Sequence, residues 1–148
     1  MSLLPKMMVR RLPYLRNSRL FERLYLIWYN SLVNTDAILR VVFFLTNSGS
    51  EPVRDWLKSL DKADRQTIGE GIKLVQFRWP LGMPLVRKME ADLWEVRSRL
   101  SGGRIARVLF TVRGGEMALL HSFIKKSRKT PIKDLELARR RKDLWLSG

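Results

Sequence analysis

The spacing of apolar residues along this chain switches between two periods, and each switch marks an element. Residues 41–46 form an unbroken apolar run closed by Asn47-Ser48-Gly49, which predicts a buried strand and a turn. Ser50 then stands as a helix cap and Pro52 suits a first turn. Val53, Trp56, Leu57 and Leu60 recur on one helical face. Asp61 with Asp64 resembles a capping box. Ile68, Ile72, Val75 and Trp79 form the next stripe until Pro80 breaks it. These two segments predict a helical hairpin.

After Pro80 and Pro84 the period falls to two. Strands are expected over 93–100, 104–113 and 116–124, separated by Ser101-Gly102-Gly103 and Gly114-Gly115. A two-residue glycine turn without a bulge pairs Val112 with Met117, Phe110 with Leu119, Val108 with His121 and Ala106 with Phe123. The preceding hairpin sets Trp94 across from Phe110, Val96 from Val108, and Arg97 from Arg107. Trp94, Val96, Ala106, Val108, Phe110, Val112, Met117, Leu119 and Phe123 should then receive the helical hairpin. Glu95, Arg97 and Arg107 are expected on the opposite, exposed face. Thr130-Pro131 opens a last helix with apolar positions Ile132, Leu135 and Ala138. The reading is an α+β fold: strand, helical hairpin, three-stranded antiparallel sheet, C-terminal helix.

Residues 1–40 differ from the rest, with seven basic and two acidic side chains. A helix is expected over 17–33. The uncharged run 24–35 has twelve residues, short of the roughly 18–20 that span a bilayer, and no cleavage site follows it. We therefore expect neither a membrane span nor a signal peptide. The segment reads as an extension to a domain over 41–148, with translation starting near Leu39, Val41 or Val42.

Charge changes the picture most. The chain carries 29 Lys and Arg against 14 Asp and Glu, a net charge of +15, which points to a polyanionic partner. The excess is uneven: residues 41–96 hold eight basic and eight acidic side chains, residues 97–148 fourteen and four. One charged region built late in the chain is implied. There is no cysteine, which removes disulfides, thiolate metal sites and a cysteine nucleophile, and a reducing cytoplasm fits.

Arg97 and Arg107, directly opposed on a sheet, repel one another. Glu95 on the same face can offset one charge, which is a purely structural account. The functional account is an anion site, since each guanidinium presents a planar fork to phosphate. Residues 125–130 add Lys125, Lys126, Arg128 and Lys129 beside that face, held between a strand and a helix. Arg104, Arg139 and Arg140 are further candidates for RNA contact, although a basic helix end also simply complements the dipole. His121 is the only histidine and, with Glu95, a candidate base. The register points it into the core, where a hydrogen-bonded structural role is favoured. A lone histidine without cysteine gives no metal site, and no cofactor is expected.

The residues Lys88-Met89-Glu90-Ala91-Asp92-Leu93-Trp94-Glu95-Val96-Arg97, then Arg107-Val108-Leu109-Phe110, then Leu120-His121-Ser122-Phe123-Ile124-Lys125-Lys126-Ser127-Arg128-Lys129-Thr130-Pro131 closely resemble the phage-derived HigB-like branch of the RelE/ParE toxin superfamily. Pro52-Val53-Arg54-Asp55-Trp56-Leu57 resembles its first helix. The resemblance covers residues 41–148. It implies a RelE-like fold and the toxin of a type II toxin–antitoxin pair. Such a toxin cleaves mRNA on the ribosome without metal, through attack of the substrate's own 2′-hydroxyl, and is neutralised by a helix-turn-helix antitoxin. Arg97 and Arg107 match sheet arginines that face RNA, and Lys125 and Lys126 match the basic strand exit. A tyrosine used by several relatives is missing from the catalytic half. Replacing Arg97 or Arg107 by alanine is expected to abolish toxicity with the fold intact. The alternatives are a ParE-like inhibitor of DNA gyrase and a non-enzymatic nucleic-acid-binding or regulatory module.

Overall fold

A computed structural model describes residues 37–148, so the helix expected over 17–33 lies outside the described residues. Strand β1 (Arg40–Phe43) leads into a turn in which the Thr46 N–H donates to the Ser50 carbonyl at 2.8 Å. The two hydroxyls of Thr46 and Ser50 also meet at 2.7 Å. Ser50 thus closes the turn instead of capping the helix. Glu51 takes the cap position of α1 (Pro52–Ser59) without a side-chain cap bond. Helix α2 (Lys62–Arg78) starts as its sequence predicts, with the Asp61 carboxylate accepting from the Asp64 N–H at 2.8 Å.

Strands β2 (Val86–Glu90), β3 (Leu93–Arg99), β4 (Ile105–Arg113) and β5 (Glu116–Lys125) precede helix α3 (Ile132–Ser147). The fold is mixed α+β, but among the described residues the sheet has five strands in the order β1-β5-β4-β3-β2 instead of three. β1 joins it parallel to β5, and β2 joins it antiparallel to β3. β2 is poorly marked in sequence because Arg87 and Lys88 are exposed on this edge strand. Its turn, Ala91-Asp92, contains no glycine, Asp92 itself taking φ 56°.

The β3–β4 register is as expected, with Trp94 opposite Phe110, Val96 opposite Val108 and Arg97 opposite Arg107. Gly114 and Gly115, at φ 59° and 74°, make the tight turn before β5 and pair Val112 with Met117 and Phe110 with Leu119. A bulge then intervenes. Leu120 is the extra residue, and the pairs become Leu109 with His121, Val108 with Ser122 and Arg107 with Phe123. One added residue reverses the facing of everything after it. His121 and Phe123 therefore leave the helical-hairpin face to which the unbulged register assigns them. The carbonyl of Leu120 is satisfied by Arg141 Nη1 at 2.8 Å, and that guanidinium lies over the Phe44 ring.

Both faces of the sheet are covered in part. On one, Val53, Ile68, Ile72 and Val75 of α1 and α2 pack on Val96, Ala106, Val108, Phe110, Met117 and Leu119. Trp79 meets Trp94 and Phe110 edge-on at 5.0 and 5.5 Å. α2 lies so close to β3 that a Cβ on Gly71 would stand 3.0 Å from Ser98 Oγ. On the other face, Leu135, Ala138 and Trp145 of α3 cover Leu93, Leu109, Ala118 and Leu120. Ile132, expected on that apolar stripe, is instead exposed. No helix among the described residues is long and apolar enough to cross a membrane.

The second helical layer corrects the picture of an open charged face. Glu95 and Arg107 are both 0% exposed. Only Arg97 of the expected trio keeps partial access to solvent.

Candidate nucleic-acid interface

Strand alternation places Arg97 and Arg99, two residues apart on β3, on the α3 face of the sheet. Arg87 on β2 stands opposite Glu95 and so joins them. These three, with Arg128 from the segment between β5 and α3, line a cleft of about 610 Å³. Its remaining wall is apolar: Met83, Pro84, Leu85 and Ile105. Four guanidinium groups beside an apolar surface suit a ligand with phosphate anions and planar rings.

Behind the cleft lies a buried charge cluster that holds, among the described residues, one carboxylate and a surplus of cations. Glu95 Oε1 is 3.6 Å from Arg97 Nε, and Glu95 Oε2 accepts from the hydroxyl of Thr130. That hydroxyl in turn accepts from Arg107 Nη1 at 3.0 Å, and Arg107 Nη2 donates to the Ser127 carbonyl. Arg107 also lies over the Phe123 ring at 6.0 Å. Burial pushes the Arg107 guanidinium below its ordinary range; Glu95 pulls it back up, while Arg97 and Arg87 push it further down. The Nε atoms of Arg97 and Arg107 and Glu95 Oε1 are buried without a hydrogen-bond partner among the described residues.

The structure brings some of the sequence candidates together and separates others. Arg97 and Arg128 line the cleft, and Arg107 and Glu95 sit beneath it. Lys125, Lys126 and Lys129 are exposed on the strand exit that carries Arg128. Arg104 is elsewhere: it makes a two-pronged bond to Asp64 of α2, at 2.7 and 3.1 Å, which raises its pKa. Arg139 grips Glu90 at 2.7–3.2 Å, and Arg140 beside it is exposed. Arg107 is a buried strut for the 127–130 segment, so Arg107→Ala is expected to disturb the fold as well as the site, contrary to the reading from sequence.

His121 is paired through Nε2 with Asp134 of α3 at 2.6 Å. Phe123 stands between it and the cluster, its ring 5.8 Å from the imidazole. His121 is therefore hydrogen-bonded, as its structural reading has it, but on the face opposite to the one the register assigned. Among the described residues no three His, Asp or Glu side chains converge on a point that could hold a metal.

Arg87 and Arg99 are the cleft residues that sequence reasoning passed over. The signal for Arg99 was present, since alternation from Glu95 and Arg97 carries it to the same face. That for Arg87 required the unmarked strand β2.

Fold and cleft together define a small basic α+β protein with an arginine-lined groove at one end of a mixed sheet. The family model described as Phage derived protein Gp49-like (DUF891) matches residues 55–143, and the chain belongs to this family of RelE- and toxin-like phage proteins. The matched stretch runs from α1 into α3 and contains all four cleft arginines. A search of curated proteins found no match.

Proposed function

We propose that this protein is the toxin of a type II toxin–antitoxin pair, of the RelE/HigB kind, and acts as a metal-independent mRNA endoribonuclease in the cytoplasm. Its partners are mRNA, the ribosome and a helix-turn-helix antitoxin. The observation that carries the reading is the convergence of Arg87, Arg97, Arg99 and Arg128 on one cleft backed by the buried Arg107. In the reaction the 2′-oxygen of the RNA bonds to the adjacent phosphorus and the bond to the 5′-oxygen breaks. A proton leaves the 2′-hydroxyl and another reaches the departing 5′-oxygen. The cleft arginines hold the phosphate and offset the charge that grows on its oxygens, an effect worth about 10²–10³ in rate per donor. Lys125 and Lys126 stand at the exit of β5 and extend that field.

The test is induced expression of the chain followed by mapping of transcript ends, with Arg97→Ala as the control. New 5′ ends that vanish in Arg97→Ala, together with loss of growth inhibition, support the reading; intact transcripts refute it.

A second reading is favoured by one feature: among the described residues, those lining the cleft include no carboxylate and no histidine. Glu95 is sealed beneath it and His121 is tied to Asp134. A module that only holds phosphates would need nothing more. RNA binding that weakens steeply with salt, without cleavage, would single out this alternative.

A further inference from the structure

The segment between β5 and α3 carries Lys125, Lys126, Arg128 and Lys129, and all four are exposed. Like charges so closely spaced repel, so the segment needs an internal tie to keep one geometry. The structure supplies one. Thr130 sits at the far end of the segment, and its hydroxyl uses both of its capacities at once: it donates to Glu95 on β3 and accepts from Arg107 on β4. Arg107 also holds the Ser127 carbonyl, on the other side of Arg128 and Lys129. Two adjacent strands thus grip the segment at two points through a pair of opposite charges with one hydroxyl between them.

We propose that Thr130 is a positioning residue that fixes Arg128 at the cleft, and that Arg107 acts on RNA through this tie and not by touching phosphate. The inference rests on the cleft being the RNA site. It also explains why Arg107 is 0% exposed, a poor place for a group that must meet a phosphodiester. Without the hydroxyl, Glu95 and Arg107 lose their common partner, and Ser127 retains only a guanidinium that is itself less well held. Arg128 and its neighbours then sample many positions, and the cleft loses a preorganised charge.

The experiment compares wild type, Thr130→Val and Thr130→Ser in two measurements on the full chain. The first is hydrogen exchange of the amides of residues 126–130. The second is affinity for a single-stranded RNA whose 2′-hydroxyls are methylated, so that the attacking oxygen is blocked and the RNA binds without being cut, measured across a salt series. Valine keeps the shape of threonine and removes the hydroxyl; serine keeps the hydroxyl. The expected result for Thr130→Val is exchange at least tenfold faster in this segment and roughly tenfold weaker binding. Its salt dependence becomes shallower by about one phosphate contact. Thr130→Ser behaves as wild type. Unchanged exchange in Thr130→Val overturns the tie. Faster exchange with unchanged affinity and salt slope overturns its role in positioning Arg128. If wild type itself does not bind the RNA, the cleft is not the RNA site and the positioning of Arg128 for RNA falls with it. The exchange data still decide separately whether the tie exists.

Discussion

Among the described residues Glu95 is the one carboxylate in the buried cluster, and exchanging it for glutamine tests whether that cluster is held together by charge. Glu95→Gln keeps the size of the side chain and an oxygen that can accept from Thr130, while removing the one negative charge that faces Arg97 and Arg107 among the described residues. At the observed 3.6 Å, and with an effective dielectric of about 20, the attraction to Arg97 alone is roughly 5 kcal/mol before desolvation is charged against it. Breaking a buried pair by neutralising one partner costs about 3–5 kcal/mol, because the remaining cation is left uncompensated. Here two guanidiniums are left, directly opposed across β3 and β4. Against a total stability of about 5–15 kcal/mol the loss should be plain in urea unfolding followed by tryptophan fluorescence. The second half of the test uses anions. If the cluster is short of negative charge, inorganic phosphate or an oligonucleotide bound in the cleft replaces part of what Glu95 supplied. Added phosphate should then stabilise Glu95→Gln more than wild type. A variant within about 1 kcal/mol of wild type, with no larger response to phosphate, would refute the electrostatic account.

Four further outcomes follow from the same geometry. Arg87→Ala and Arg99→Ala should each weaken RNA binding and flatten its salt dependence by about one phosphate contact, with little change in Tm. Asp64→Ala, which frees Arg104 and breaks a contact on the other side of the sheet, should lower Tm by a few degrees and leave the salt slope of RNA binding unchanged. Glu90 has its pKa lowered first by its hydrogen bond to Arg139, with Lys142 adding to the effect. A depressed folded pKa means that Glu90 stabilises the fold above the ordinary glutamate value of about 4.3 and loses that contribution as pH falls through the folded value. The stability gap between wild type and Glu90→Gln should be constant near neutrality and close in acid, as read from unfolding curves across pH. Gly115→Val should cost about 1–2 kcal/mol, since φ there is 74° and a β-branched residue is strained in that region; urea unfolding measures it.

The parts of the fold legible in the sequence were those where local pattern and tertiary demand coincide. The Asp61 cap, the stripe Ile68-Ile72-Val75 and the glycine turn at 114–115 each express one local rule, and each occurs as expected. β2 was not legible because edge strands need no apolar alternation, and Arg87 and Lys88 are what a solvent-facing edge tolerates. The layer formed by α3 was hidden for a related reason. Its apolar content over 132–138 is modest, and the charged run 139–142 reads as a solvated surface. Arg139 and Lys142 are in fact drawn onto Glu90, and Arg141 is turned inward onto the Leu120 carbonyl.

That last contact explains why the candidate site was only half readable. The bulge at Leu120 leaves no mark in a strand of apolar residues, yet it decides which face His121 and Phe123 occupy. By turning Phe123 toward Arg107 it gives the buried guanidinium an aromatic wall, and by turning His121 toward Asp134 it ties α3 to the sheet. Alternation identified the arginines of β3 and β4, but it could not distinguish a guanidinium that meets solvent from one that braces a loop. That distinction depends on what packs above the strand, and the covering residues, Ser127, Thr130 and α3, arrive from a segment that sequence pattern alone treats as a linker. Arg97 and Arg107 are equivalent by register and differ by burial, and the chemistry assigned to each follows the burial.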